Sequence, residues 1–411
     1  VDLLLLDVAD GPGGKSLFDR PGVYGENGED YPDNGRRFAL FSRAVVELAR
    51  QRSIQGTPFD IVHVHDWHAA MVPYLMREQR AELPRTRSVL TVHNLAHQGI
   101  FPSSVLAHLG LGAAHFATDR LEFYGQVNFL KGGIIAADAV TTVSTTYARE
   151  IVTAELGERL DGVLRARKEP IQGIVNGIDY AVWNPMTDPA VVARYDAEDT
   201  ANKGRCKSAL LQEIGLSIQP DRPLVGILGR VVPQKGSDLV AAALPKLLKS
   251  DISVVIAGSG DPALMAKLEA AVSKTPERSA YLGAVSETLV HRLLGAADVL
   301  LVPSRYEPCG LVQLYGQRYG AVPVACRTGG LVDTIVDCDA ALETGTGFLY
   351  DKATATALVG GVQRALAAVV TPRWGALRRR VMRLDLGWDR PARRYVHVYR
   401  GVLVDERAAA T

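Results

Sequence analysis

Short, unbroken runs of Val, Ile and Leu recur along the chain, separated by stretches with helical spacing, and this alternation leaves few folds open. DIVHVH, SVLTVH, AVTTVS, PLVGILG, SVVIAG, DVLLVP and VPVAC are all of strand length. Continuous apolar runs, rather than in-and-out alternation, mark parallel strands covered on both faces. Strands are expected at 1–8, 61–65, 88–93, 139–144 and 171–175, then at 224–229, 252–258, 299–304 and 322–326. Asp33-Asn34 reads as the cap of a helix whose face carries Phe38, Phe41, Val45 and Leu48, and 238–248 reads as another helix. Alternating β and α predicts an α/β protein of two Rossmann-like, doubly wound units. The polar stretch 196–207, with SIQPDRP after it, is the expected boundary, giving domains 1–207 and 208–385.

A chain of 411 residues with a formal charge of +1 has no basic field for nucleic acid or acidic membranes. Cys206, Cys309, Cys326 and Cys338 form no Cys-x-x-Cys pair, which suits a reducing cytoplasm. The apolar runs are too short for a membrane span. The chain opens on Val1, so further sequence, including any targeting segment, is expected upstream.

Three motifs invite stronger readings than their settings support. ADGPGGKS, 9–16, satisfies a relaxed phosphate-loop pattern, but Pro21-Gly22 stops any helix from starting on Lys15-Ser16. HVHDWH, 63–68, has the look of metal-ligand spacing. However, His63 and His65 share one strand face and Trp67 stands where a carboxylate is wanted, so hydrogen-bonded core histidines are expected, and no metal. Asp337-Cys338-Asp339 has the Asp-x-Asp form of a nucleotide–metal site, yet falls in an expected loop.

The loops that follow the later strands are more informative. GRVVPQKG puts Arg230 and Lys235 on a glycine-flanked turn at the carboxyl edge of the sheet, where a guanidinium fork and an ammonium suit a diphosphate. RYEPCGL holds Glu307 at the same rim, beside Cys309, Gly310 and Leu311. RTGGL opens a helix, so amides near Thr328, Gly329 and Gly330 are expected to face an anion. Each loop alone could be structural; three on consecutive strand ends of one sheet point to a ligand.

Together with HVHDWHA, TVHNLAHQG, LFDRPGVYGENGEDYPDNGRRF and IVNGIDYAVWNP, these segments resemble the bacterial glycogen synthase and plant starch synthase family, from about Leu17 to Tyr399. The resemblance implies the GT-B fold of retaining glucosyltransferases, two Rossmann-like domains facing across a cleft. It implies glucose transfer from ADP-glucose to the non-reducing end of an α-1,4-glucan such as glycogen, without metal or other cofactor. Residues 386–411 then resemble the closing helix that crosses back to the first, acceptor-side domain. By the same resemblance Arg230 and Lys235 bind the donor diphosphate, and Glu307 lies beside the glucose. His93 approaches the sugar and its reacting carbon, Asp66 lies at the cleft floor and Asn176 is a donor-side contact. Cys309 reads as a packing residue, and Lys131 faces either the cleft or solvent.

Two departures keep alternatives open. The family's Lys-x-Gly-Gly-Leu motif is absent, so a truncated or degenerate glucan-binding relative is the competing class. Ala284-Val285 replaces the expected aromatic residue after Tyr281-Leu282-Gly283, which leaves UDP-glucose as an alternative donor. With one carboxylate firmly placed, front-face attack is favoured over a covalent glucosyl-enzyme.

Overall fold

The computed structural model describes residues 2–9, 16–26 and 29–409. They fall into two compact units, one made of Val1–Val143, Ala148–Ile174 and Arg393–Thr411, the other of Ser144–Tyr147 and Val175–Ala392.

In the first unit β1 (Ile61–His65), β2 (Arg87–Val92), β3 (Ala139–Thr142) and β4 (Gln172–Gly173) lie side by side in that order, all parallel. Every residue of β2 is buried, as a strand covered on both faces must be. Helix Asn34–Ile54 buries Arg37, Phe38, Ser42, Val46 and Ala49, so its inner face is turned from the one expected, leaving Phe41, Val45 and Leu48 half-buried. Asp33 precedes it without capping it; its carboxylate instead takes a two-pronged bond from Arg20, at 2.8 and 2.6 Å. The last helix, Asp389–Ala409, sets Val398 against Val89, Ala139 and Ile174.

The strand expected over 1–8 does not form in its described part, and Leu3, Leu4 and Leu5 are 82%, 63% and 84% exposed. An apolar run becomes a strand only when a neighbour takes its backbone groups; here the Val8 carbonyl accepts one bond, from the Leu17 N–H at 2.8 Å. Asp10–Lys15 of the phosphate-loop match lie outside the described residues. The segment from Ser16 runs mainly through turns and bends, and among the described residues no helix begins before Asn34.

In the second unit β5 (Leu224–Leu228), β6 (Ser253–Ala257), β7 (Ser279–Tyr281), β8 (Val299–Val302), β9 (Val322–Cys326) and β10 (Phe348–Tyr350) form one parallel sheet in the order β7-β6-β5-β8-β9-β10. This is the doubly wound order, and it reverses between β5 and β8. Residues 175–207 pack in this unit and not, as expected, in the first. Val191, Tyr195 and Cys206 join a core with Leu294, Leu300 and Tyr319, while Lys203 Nζ donates to the carbonyls of Leu294, Gly295 and Tyr319 at 3.1, 2.9 and 2.8 Å. The polar stretch thus leads into helix Asn202–Glu213 and is no linker.

Under the sheet, the Asp298 carboxylate accepts from Lys207 at 2.7 Å, Arg378 at 2.8 Å and the Leu224 N–H at 3.0 Å. Burial alone would raise its pKa, but the two cations and these bonds outweigh it and hold the group below the usual carboxylate value. No single described helix is long and apolar enough to cross a membrane.

Candidate functional site at the strand ends

In a doubly wound sheet, ligands lie beyond the carboxyl ends of the strands where the order reverses. At that point β5 runs into Gly229-Arg230 and then a single 3-10 turn, Pro233–Lys235. Gly236 follows at φ 71°, and a Cβ on it would lie 2.2 Å from the Pro303 carbonyl oxygen. Glycine therefore lets the β5 loop close on the loop leaving β8. Arg305 clamps the same junction through Asp238, at 2.7 and 2.6 Å, and the Pro233 carbonyl, at 2.5 Å.

Across this junction Lys235 Nζ donates to Glu307 Oε2 at 2.5 Å, and Ser304 Oγ donates to the same oxygen at 2.9 Å. Both bonds end on Oε2; Oε1 receives neither. Arg230 is exposed, makes one long bond of 3.4 Å to Gln234, and forms no ion pair among the described residues. Arg230, Lys235, Ser304, Glu307, Gly310 and Leu311 line one concave pocket. An adjoining apolar pocket shares Gly229 and Arg230 and is walled by Ala284, Val285, Val312 and Tyr315. Tyr315 is held by stacking on Trp183 at 3.8 Å, which stacks on His291 at 4.1 Å. An uncommitted guanidinium and an ammonium at a pocket mouth, next to an apolar slot, can take a phosphorylated ligand with a flat apolar part.

Cys309 is buried, and burial pushes its thiol up to about 12 against a weaker opposing hydrogen bond from the Asn176 backbone, so it is no nucleophile at neutral pH. Asn176 is thereby placed beside this turn, with Oδ1 buried and without a hydrogen bond among the described residues. The helix Gly329–Thr334 starts after Thr328, but the expected amide cradle is reduced: the Gly330 N–H donates to the Glu307 carbonyl at 2.9 Å. A Cβ on Gly330 would lie 2.2 Å from the Cys309 carbonyl oxygen, so this glycine sets the spacing of the two loops. Gly330→Ala is expected to cost about 1–3 kcal/mol by forcing backbone apart and to lower activity through Glu307, read as a lower melting temperature and a slower turnover.

In the first unit, β1 and β2 end side by side with His65 paired to Thr91. Asp66 follows at φ 56°, a left-handed conformation that Asp tolerates better than most residues. Its Oδ1 accepts the His93 N–H at 2.7 Å, so Asp66 and His93 are brought together at one strand end. His65 Nδ1 meets His93 Nε2 at 3.0 Å. His63 is half-buried and satisfied at both nitrogens, bonded to Tyr399 at 2.8 Å and Thr91 at 2.7 Å, with its pKa lowered to about 4 by desolvation and then by His65 and His93. His68, stacked on Tyr24 at 4.7 Å, is likewise lowered by burial to about 4. Among the described residues no group of His, Cys, Asp or Glu is arranged to hold a metal ion. Lys131 donates to the Thr118 and Glu122 carbonyls at 2.6 and 2.5 Å and is structural. Asp337 accepts from the Leu349 N–H of β10 and from Arg364 of the helix Ala355–Val369, and Asp339 accepts from the Thr344 N–H of its own loop.

Sequence reasoning missed Ser304 and Arg305, and read His65 only as a hydrogen-bonded core histidine. Ser304 stands three residues before Glu307, but nothing in its type distinguishes it from a turn serine.

Residues 1–166 match the starch synthase catalytic domain and 213–370 the glycosyl transferases group 1 family. A glycogen synthase of Thermodesulfovibrio yellowstonii is 42% identical over 401 residues, spanning 96% of this chain and 78% of that protein. The chain belongs to the glycogen and starch synthase family. A further family member, the glycogen synthase of Anaeromyxobacter dehalogenans, is 45% identical over 93% of this chain and 80% of its own length. Among solved structures, the catalytic domain of starch synthase IV from Arabidopsis thaliana, bound to ADP and acarbose, superposes with a TM-score of 0.86 at 35% identity, covering 94% of this chain and 80% of that one. A sucrose-phosphate synthase from Thermosynechococcus elongatus shares the fold at a TM-score of 0.58 and 21% identity, over 90% of this chain and 80% of its own.

Proposed function

We propose that the chain transfers glucose from ADP-glucose to the 4-hydroxyl at the non-reducing end of an α-1,4-glucan, with retention of configuration. The observation that carries this reading is the gathering of Arg230, Lys235 and Glu307 at the reversal point of the second sheet, in a chain of this family. Arg230 and Lys235 hold the diphosphate and stabilise the charge that grows on it as the bond to the anomeric carbon breaks. Glu307 Oε1, left open by the bonds to Oε2, serves the sugar and the positive charge that builds at its anomeric carbon. The acceptor oxygen attacks from the face that ADP leaves, and the departing phosphate oxygen takes the acceptor proton. His93 and Asp66 are assigned to the sugar, and Asn176, Cys309, Gly310, Leu311, Thr328, Gly329 and Gly330 to the donor side as contacts or loop-shaping residues. A cytoplasmic setting belongs to the same reading and is supported by four buried cysteines that form no disulfide.

The apolar slot by Tyr315 supports an adenine over a uracil, since the larger base buries more apolar surface. The test is a donor comparison with glycogen as acceptor. ADP-glucose should exceed UDP-glucose in kcat/KM by about tenfold or more; equal values reject the preference for adenine, reversed values reject ADP-glucose as the main donor, and no incorporation from either rejects the transferase reading.

A further inference from the structure

His63, His65, Thr91 and His93 project from one face of the β1–β2 pair, because the strands are in register at His65 and Thr91 and side chains alternate. His63 is anchored at both nitrogens, and Thr91, one of its partners, is bonded in turn to Thr141 at 2.6 Å. The His65 ring lies against the His63 ring at 4.5 Å and bonds onward to His93. No hydrogen bond engages the other ring nitrogen of His93 among the described residues.

We propose that His65 is a positioning residue for His93, fixing the plane of its ring and tying its tautomer to that of His65, so that Nδ1 is the edge offered to the sugar. This rests on the assignment of His93 to the sugar above. The groups facing His65 are His63, Asp66 and His93; desolvation and the His93 ring lower its pKa while Asp66 opposes. Whenever two imidazoles joined nitrogen to nitrogen are both neutral, the bond between them holds a single proton. When His65 supplies it, both rings carry their hydrogen on Nδ1; when His93 supplies it, both carry it on Nε2. The two tautomers are therefore tied to each other, and His93 cannot change its hydrogen without its neighbour.

The test uses the full chain labelled with 15N-histidine at pH 8, where ring nitrogen shifts report the tautomer without turnover. The expected result is matching tautomer populations for His65 and His93, a shifted His93 population in His65→Phe, and a His93 population returned towards the wild type in His65→Asn, whose amide can replace Nδ1 as donor or acceptor. His65→Ala, which adds no bulk, should behave as the Phe variant. Opposite tautomers in the wild type, or a His93 signal unchanged by His65→Phe and His65→Ala, overturn the proposal. So does an Asn variant as shifted as the Phe variant, which assigns the effect to packing. In the transfer assay His65→Phe should lose about 10²-fold in kcat with donor KM within a few-fold, and His65→Asn should regain most of it. A wild type that transfers no glucose rejects the function proposed above, while the nitrogen shifts still decide the role of His65.

Discussion

Lys235→Ala is expected to reduce glucosyl transfer by about 10²–10³-fold, the usual loss when one preorganised electrostatic donor is removed. Two effects converge. The departing ADP loses a cation, and Glu307, only 6% exposed, loses the partner that holds its Oε2 at 2.5 Å. Ser304 alone then fixes that carboxylate, and a buried charge short of its partner also weakens the fold. Glu307→Gln should lose a comparable amount of rate with less loss of stability, because the amide leaves no unpaired charge. The double variant should fall well short of the product of the two losses, since the residues act as a unit. Steady-state kinetics with a parallel melting curve checks each point; additive losses would mean that the two residues act on turnover independently and not as a pair.

Asp298→Ala is expected to destabilise the second unit by about 3–5 kcal/mol, the range for breaking a buried ion pair from one side. Lys207 and Arg378 would then face each other under the sheet with no anion between them, and the Leu224 N–H at the start of β5 would lose its acceptor. Asp298→Asn should cost less, because its carbonyl oxygen still accepts. The same carboxylate predicts an acid limb. Its folded pKa lies below the unfolded value of about 3.9, so its contribution is complete above that value and is lost as pH falls through the folded one. Urea unfolding of the wild type should weaken below about pH 4, and the Ala variant should show a shallower fall over the same interval.

The parallel sheets were legible because unbroken aliphatic runs have few other meanings, and observed strand ends lie within about two residues of those expected. The edge strand Phe348–Tyr350 was not, because three residues carry no period. Residues 1–8 misled for the opposite reason: the run has strand composition, while strand formation depends on a partner that composition cannot report. Arg230, Lys235 and Glu307 were legible because strand-end loops with glycine and proline leave few places for their charges. Arg305 was not, since it acts through a contact with a loop distant in sequence, Ser304 was not because its type is that of any turn serine, and His65 was read only as a hydrogen-bonded core histidine. The Gly330 amide shows the same limit. A helix start suggests a free N–H, and only the fold reveals that the Glu307 carbonyl has taken it.

The most direct test of the account is calorimetric titration of the full chain with ADP and AMP, wild type against Arg230→Ala/Lys235→Gln. A charge-assisted hydrogen bond contributes about 1.5–3 kcal/mol, so ADP should weaken by about 10²-fold or more while AMP, which lacks the second phosphate, changes little. ADP affinity equal in the two proteins would show that these cations do not hold the diphosphate, and the mechanism would fall with them.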